Sequence, residues 1–367
     1  MKRREFLKGA AVASGAAVTG VAASSFPKPA ISQDMRELKM VTTWPKNFPG
    51  LGTGAQRVAD RITAATDGRL TVKLFAAGEL VPAFESFDAV SSGTADCLHA
   101  AAYYWQGKHP AFNFFTAVPL GFTPNELNAW VYHGGGQELW DELAADFNLK
   151  GLLAGNTGSQ MGGWFNKEIN SLEDMKGLTM RMPGLGGEVL RRIGASAVAL
   201  PGGEIFPALQ SGAIDATEWV GPWNDLAFGF YKITKHYYYP GFHEPGSGLE
   251  CTWNLDVWNS FSDSDKELIK ACCAGEDSYT LAEFNARNGG SLTTLLDEHG
   301  VQLHKFSDDI FNAIAKSADE VVNEVASHDD LAKRVVESYT SFRKDVTGWT
   351  ALSDQAYTEA RTKAAAS

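Results

Sequence analysis

The chain has 367 residues, 44% hydrophobic and 21% charged, with a formal net charge of −12. That length leaves room for two domains, each with its own core, once a leader is set aside. The acidic balance excludes nucleic acid and an anionic membrane surface as partners, because both repel a negative protein.

Residues 1 to 10 carry Lys2, Arg3, Arg4 and Lys8, and an Ala/Gly/Val run follows to about Ala23. A charged start, a weakly apolar middle and small residues make an export signal, which sets residues 1–32 outside the fold. The pattern Arg3-Arg4-x-Phe6-Leu7-Lys8 resembles the twin-arginine type, which exports folded proteins across the bacterial inner membrane. Cleavage after Ser32 and cleavage near Ala23 both fit. Residues 1–32 carry five positive charges and one negative, so the −12 of the whole chain becomes about −16 on the remainder. No later stretch has the ~20 continuous apolar residues of a membrane span, so the expectation is a soluble protein of the periplasm.

From Leu38 the pattern alternates: an apolar strand to Thr43, an amphipathic helix Gly52–Ala65, a strand Leu70–Phe75, a helix Phe84–Ser92 and an extended run Ala95–Ala102. Such alternation predicts a largely parallel sheet covered by helices, an α/β fold. A helix from about Asn125 to Phe147 and a strand Gly151–Ala154 lead into the bend Gly155-Asn156-Thr157-Gly158-Ser159-Gln160, where the first crossover between domains is expected. A second alternation follows: strand Leu178–Met182, helix Gly186–Ile193, strand Ala197–Leu200, helix Glu204–Ser211 and strand Ala213–Trp219. The Gly/Pro-rich segment Gly241–Gly248 then returns the chain to the first domain through strand Leu249–Leu255. The resulting plan is domain I over 33–157, domain II over 158–247, domain I again with long helices over 248–325, and a C-terminal helical extension over 326–367.

One stretch of the second alternation stands apart, Gly177-Leu178-Thr179-Met180-Arg181-Met182-Pro183-Gly184. In a strand Met180 and Met182 face one way and Thr179 and Arg181 the other. A permanent cation with a planar fork of donors suits a carboxylate held by two parallel hydrogen bonds. The competing explanation is a solvated arginine on an edge strand.

The two alternations also echo each other, since Phe87 to Asp96 and Phe206 to Asp215 share the pattern Phe-x-Ala-aliphatic-x-Ser-Gly-x-x-Asp. Physically this is a helix stopped by a glycine C-cap and turned by an aspartate into a strand. His99, Tyr103 and Tyr104 follow the first copy, Glu218 and Trp219 the second. Ligands in open α/β sheets sit at the carboxyl ends of strands, so these two ends are expected to face one another across a cleft.

Beyond Ser262 the pattern turns to long helices. Ile310, Ile314, Ala318, Val321 and Val325 form one apolar stripe, and Leu331, Val335, Tyr339, Phe342 and Val346 another. Both suit packing on their own domain, and the second also suits docking on another subunit.

No nucleophile elbow, zinc-protease pair, phosphate loop or dinucleotide fingerprint is present. The eight histidines show no metal-ligand spacing, and His99 and His243 read as structural residues. Cys97, Cys251, Cys272 and Cys273 have no zinc spacing; a Cys97–Cys251 bridge is conceivable, with buried thiols the favoured reading. The remaining chemistry is oxygen around one cation. Glu218, Glu244, the Gln160 carbonyl and a backbone carbonyl form an all-oxygen set that suits sodium or calcium.

Arg181 in Leu-Thr-Met-Arg-Met-Pro-Gly, the segment Phe206 to Trp219 and Tyr103-Tyr104-Trp105 resemble the periplasmic solute receptors of tripartite ATP-independent (TRAP) transporters, in particular the branch that binds 2-oxo acids or lactate. The resemblance covers nearly the whole mature chain. It implies a two-domain periplasmic binding protein with an interdomain cleft and hinge strands, in which Arg181 binds the substrate carboxylate and Gln160, Asn156, Tyr103, Tyr104 and Trp219 complete the contacts. It also implies a bridging cation held by Gln160, Glu218, the Trp219 carbonyl and Glu244, and dimers formed through extra C-terminal helices. The expected function is capture of a small 2-oxo or 2-hydroxy monocarboxylate, pyruvate-like in size, for delivery to a membrane permease, without catalysis. The alternatives are a receptor of the same fold for a bulkier aromatic acid or polyol without metal and, from another class, an exported metalloenzyme with Glu218 or Glu244 as base.

Overall fold

In the computed structural model, which describes residues 35–365, the alternating segments condense into two mixed sheets covered by helices. The expected export signal lies outside the described residues, and among those residues no helix is long and apolar enough to cross a membrane. The strands are β1 (Arg36–Thr42), β2 (Leu70–Phe75), β3 (Cys97–Ala100), β4 (Leu149–Asn156), β5 (Gly163–Phe165), β6 (Thr179–Arg181), β7 (Ser196–Val198), β8 (Ala216–Thr217), β9 (His236–Tyr239), β10 (Gly248–Asn254) and β11 (Gln302–Lys305). The first sheet runs β2-β1-β3-β10-β4 and the second β11-β9-β5-β8-β6-β7.

The sheets are mixed rather than largely parallel. β10 runs antiparallel to β3 and β4, and β5 antiparallel to β8 and β9. Both are the strands by which the chain enters a sheet after crossing over, through residues 157–162 and 240–247. A strand that enters from the end where its neighbours finish has to run against them. A further crossing is absent from the sequence plan. After helix Asp263–Thr293 packs on β4, β11 pairs with β9 and helix Asp308–Val325 lies against helix Gly184–Arg192. The stretch expected to stay with the first domain as far as residue 325 therefore ends beside the second sheet. The single helix expected over 125–147 is two, Pro124–His133 and Gly136–Ala145, because Gly135 at φ 83° turns the chain between them.

The echo between the halves is a structural repeat. In the first copy helix Ser86–Ser91 leads through Gly93 (φ 79°) to Asp96, whose amide donates to Lys39 O at 2.9 Å and whose carboxylate accepts from Lys39 N at 2.7 Å. In the second, helix Gly202–Ser211 leads through Gly212 (φ 74°) to Asp215, whose amide donates to Thr179 O at 2.7 Å and whose carboxylate accepts from Thr179 N at 2.9 Å. The strands that follow pair in parallel with the same offset, Met40 with Cys97 and Met180 with Ala216. Lys39-Met40-Val41 thus corresponds to Thr179-Met180-Arg181.

Both C-terminal apolar stripes are used within the chain. Ile310, Ile314, Ala318, Val321 and Val325 are buried, and Tyr339 and Phe342 of helix Asp330–Thr350 pack on Phe114 and Phe122. The large apolar residues left exposed at this end are Trp349, Leu352 and Tyr357. All four cysteines are free thiols. Cys251 stands opposite His99 and Cys97 opposite Trp253, so Cys97 and Cys251 are diagonal neighbours on adjacent strands with their thiols within hydrogen-bonding reach.

Candidate functional site

Arg181 ends β6, which lies inside its sheet between β8 and β7, and the side chain is 0% exposed. This removes the solvated edge arginine. Met180 and Met182 are buried as their alternation required. The guanidinium donates from Nε to Leu200 O at 3.2 Å, from Nη1 to Glu218 Oε1 and to Glu218 O at 3.4 Å, and from Nη2 to Tyr104 Oη at 3.3 Å. The Trp219 ring lies 5.1 Å from its centre. Burial, the largest single influence, works against the charge of Arg181, but Glu218 with Tyr104, Tyr103 and Glu244 together outweigh it, so the pKa is raised.

Glu218 and Trp219 follow β8 directly, and Tyr103 and Tyr104 lie in the one-turn helix Ala102–Trp105 that follows β3. The two ends of the repeat therefore meet, as the strand-end argument expected. Tyr103 and Tyr104 stand edge to face at 4.8 Å. Burial, followed by the nearby glutamates, lifts the Tyr103 phenol well above its ordinary range. Gln160 comes from the first crossing and Glu244 from the second, and Gln160 Nε2 donates to Glu244 Oε2 at 2.7 Å and to Thr157 Oγ1 at 2.9 Å. Burial first, and then Glu218, raise the pKa of Glu244. Asn156 closes β4 with its Oδ1 accepting from Gly158 N at 2.9 Å, but Thr157, its neighbour, supplies the cavity wall.

His243 is the residue that sequence reasoning set aside. It is 3% exposed, neither ring nitrogen has a hydrogen-bond partner, and Nε2 lies 3.4 Å from Glu218 Oε2. Ligand atoms of Glu218, His243 and Glu244 all fall within 4.8 Å of one another. Its position next to Glu244 in a Gly/Pro loop was the available signal. Helix Gly184–Arg192 reaches these groups because its first turn is glycine-rich. A Cβ at Gly186 would stand 2.7 Å from His243 Cβ, and one at Gly184 (φ 67°) would stand 2.9 Å from Asn113 Oδ1. His99 is structural, accepting from Trp44 Nε1 at 2.9 Å and facing Ala154 O at 3.2 Å, with burial lowering its pKa to about 4. It holds Trp44 in the wall of the site.

Twelve buried side-chain nitrogens and oxygens of the described residues lack a partner, and six belong to Asn156, Gln160, Glu218, Trp219 and His243. A buried polar group left unpaired costs about 1–3 kcal/mol, so such a concentration marks a place built for something that pairs with them. Gln160 Oε1 and Glu218 Oε2 are hard acceptors facing the same group of side chains, and they fit a sodium or calcium ion. Burial of charge alone is no such marker: Glu276 is equally buried, but its oxygens are taken by Arg57, Arg61 and Thr280 and none is orphaned. The cavity among Trp44, Tyr103, Tyr104, Gln160, Trp219 and Glu244 holds about 10 Å³. A larger groove of about 480 Å³, between Gln106–Pro110, Glu188 and His328, contains none of the orphaned atoms. At its rim His109 Nδ1 accepts from Ala111 N, so in the neutral ring the proton on Nε2 goes to Asp329 Oδ2 at 2.8 Å.

Residues 40–329 match the model of DctP, the bacterial extracellular solute-binding protein family 7. A Nostoc protein described as a monocarboxylate 2-oxoacid-binding periplasmic protein is 42% identical over 97% of this chain and 98% of its own length. Among solved structures, a TRAP transporter solute-binding protein from Bordetella bronchiseptica, a mixed-occupancy dimer with copurified calcium and picolinate, superposes with a TM-score of 0.88 at 33% identity, covering 90% of this chain and 98% of that one. One from Pseudoalteromonas atlantica with bound sodium and pyruvate has a TM-score of 0.86 at 38% identity, covering 89% and 99%.

Proposed function

Because the chain belongs to the DctP family of bacterial extracellular solute-binding proteins, we propose that it is the periplasmic receptor of a TRAP transporter for a small 2-oxo or 2-hydroxy monocarboxylate, which it passes on to the membrane permease. The observation that carries this reading is the cluster of orphaned polar atoms on Gln160, Glu218, Trp219 and His243 beside a fully buried arginine. The relatives that bind pyruvate, picolinate or 2-oxo acids support it.

Arg181 pairs with the acid's carboxylate through the Nη1/Nη2 edge of its fork, while Nε stays anchored on Leu200 O. Tyr104 Oη, already on Nη2, borders the same edge, and Trp44, Tyr103 and Trp219 close the pocket and exclude water. A sodium or calcium ion held by Gln160, Glu218, Glu244 and the Trp219 carbonyl supplies a second positive pole for the ligand. His243, with two unpartnered nitrogens beside Glu218, borders this set. Low dielectric inside the closed cleft strengthens each of these contacts. The chemistry ends at binding.

The relatives described with 2-oxo acids and with pyruvate favour a small 2-oxo acid over a polyol. Trp349, Leu352 and Tyr357, exposed on the last helices, support a homodimer formed through residues 349–357. The reading rests on residues 35–365 together with a twin-arginine leader in 1–32. Native mass spectrometry of the purified protein tests the assignment, and the expected result is a dimer carrying one small acid and one cation per chain. A chain that returns neither species and shows no heat of binding with pyruvate in calcium buffer refutes it.

A further inference from the structure

Resting on the receptor reading above, we propose that Glu218 is a built-in competitor for Arg181, yielding it to the acid only once the Glu218 carboxylate is engaged by a cation, so that cation and acid bind in a coupled, cation-first order. Four of the five donor positions of Arg181 are committed: Nε to Leu200 O, both on Nη1 to Glu218 O and Oε1, and one on Nη2 to Tyr104 Oη. A bidentate carboxylate needs two adjacent N–H groups, and the Nη1/Nη2 edge offers at most one free. The acid therefore has to displace a protein oxygen, and the one that carries a full charge is Glu218 Oε1.

Displacement alone is unfavourable. Glu218 is 0% exposed, its other oxygen has no partner, and among the described residues no cationic side chain besides Arg181 reaches it unless His243, at 3.4 Å, is protonated. An acid that took Arg181 without a cation would leave a buried carboxylate unpaired, a penalty of about 10²- to 10³-fold in affinity. A cation drawn to Glu218 Oε2, Gln160 Oε1 and Glu244 removes that penalty. Arg181 is then matched by the acid and Glu218 by the cation. The coupling is reciprocal, so the acid tightens cation binding by the same factor.

A ligand bridge without competition makes a different prediction. If Glu218 only holds the cation, Glu218→Gln weakens the site and never improves it. If Glu218 also competes for Arg181, Glu218→Gln removes the competitor, and the acid binds the variant more tightly than wild type when no cation is present.

Calorimetry with pyruvate on the full mature chain separates these outcomes, run in sodium-free potassium buffer with chelator and again in calcium. Calcium alone is followed by terbium luminescence sensitised by Trp44 and Trp219. We expect calcium to bind without pyruvate, pyruvate to bind wild type about a hundredfold more tightly in calcium than in chelator, and Glu218→Gln in chelator to exceed wild type in chelator about tenfold with its calcium dependence gone. Tyr104→Phe, which removes the uncharged acceptor on the fork, shifts affinity equally in both buffers. Pyruvate binding to wild type that changes less than threefold between the buffers overturns the competition while leaving the receptor reading intact. So does Glu218→Gln, folded by circular dichroism, that binds no better than wild type in chelator. Absence of pyruvate binding in every buffer overturns both.

Discussion

Two copies of one helix-turn-strand unit stand in this molecule, and they differ most at one pair of equivalent positions, Val41 and Arg181. In each copy an aspartate, Asp96 or Asp215, grips both the amide and the carbonyl of the strand residue two places earlier, Lys39 or Thr179. In each the methionine between them, Met40 or Met180, is buried on one face. Val41 then turns to an apolar cluster with Leu98 and Phe87, whereas Arg181 turns to Tyr104, Glu218 and Trp219. The backbone plan is thus indifferent to function. A site arises where the face opposite the core is supplied with polar partners from the other sheet's connections.

The largest test of that contrast exchanges the fork for a point charge. Arg181→Lys keeps the charge and loses the planar pair of donors, and its affinity for pyruvate in calcium should fall about 10²- to 10³-fold by calorimetry with an unchanged far-ultraviolet spectrum. The equivalent truncation in the first copy, Val41→Ala, should cost about 2 kcal/mol in denaturant unfolding and leave affinity within about threefold. Loss of affinity in Val41→Ala, or its retention in Arg181→Lys, would break the division of labour between the copies.

A pH test sharpens it, because the first half holds a buried carboxyl of its own away from the site. Glu250 accepts from Trp105 Nε1 at 2.6 Å and Thr252 Oγ1 at 2.7 Å, and burial raises its pKa from 4.5 to about 7. The folded chain keeps a proton that the unfolded chain gives up. The corresponding stability is complete below about 4.5 and is lost as pH rises through about 7. His99 has the opposite sign: with its pKa lowered from 6.5 to about 4, its contribution is present above 6.5 and is lost as pH falls through about 4. Glu250→Gln keeps both hydrogen bonds, since the Thr252 hydroxyl can accept. It should match wild type near pH 4.5 and exceed it by about 3 kcal/mol at pH 8 in urea unfolding. The smallest effects belong to the turns themselves. Asp96→Ala and Asp215→Ala should each cost about 1–2 kcal/mol, and similar costs are the signature of equivalent units.

Much of this was legible because it is local. The strand alternation, the glycine C-cap and the turning aspartate act over a few residues, and they gave the elements of both halves nearly in register with the structure. Met-Arg-Met announced a cation against a buried face, although Thr179 to Met182 alone left an edge arginine open. The resemblance to TRAP receptors singled out Gln160, Glu218 and Glu244, which do converge.

What the sequence determined by itself, then, was the set of elements, the repeated turn and the presence of one misfit charge, since each is written in side chains within a turn or two of one another. Only the tertiary structure decided which way β5 and β10 run, that β11 crosses back to the second sheet, that Cys97 and Cys251 are diagonal neighbours, and that His243 lies beside Glu218. These depend on contacts between residues far apart in the chain. Such contacts form where whole apolar faces bury against one another, and no short-range pattern encodes which partner a face will meet.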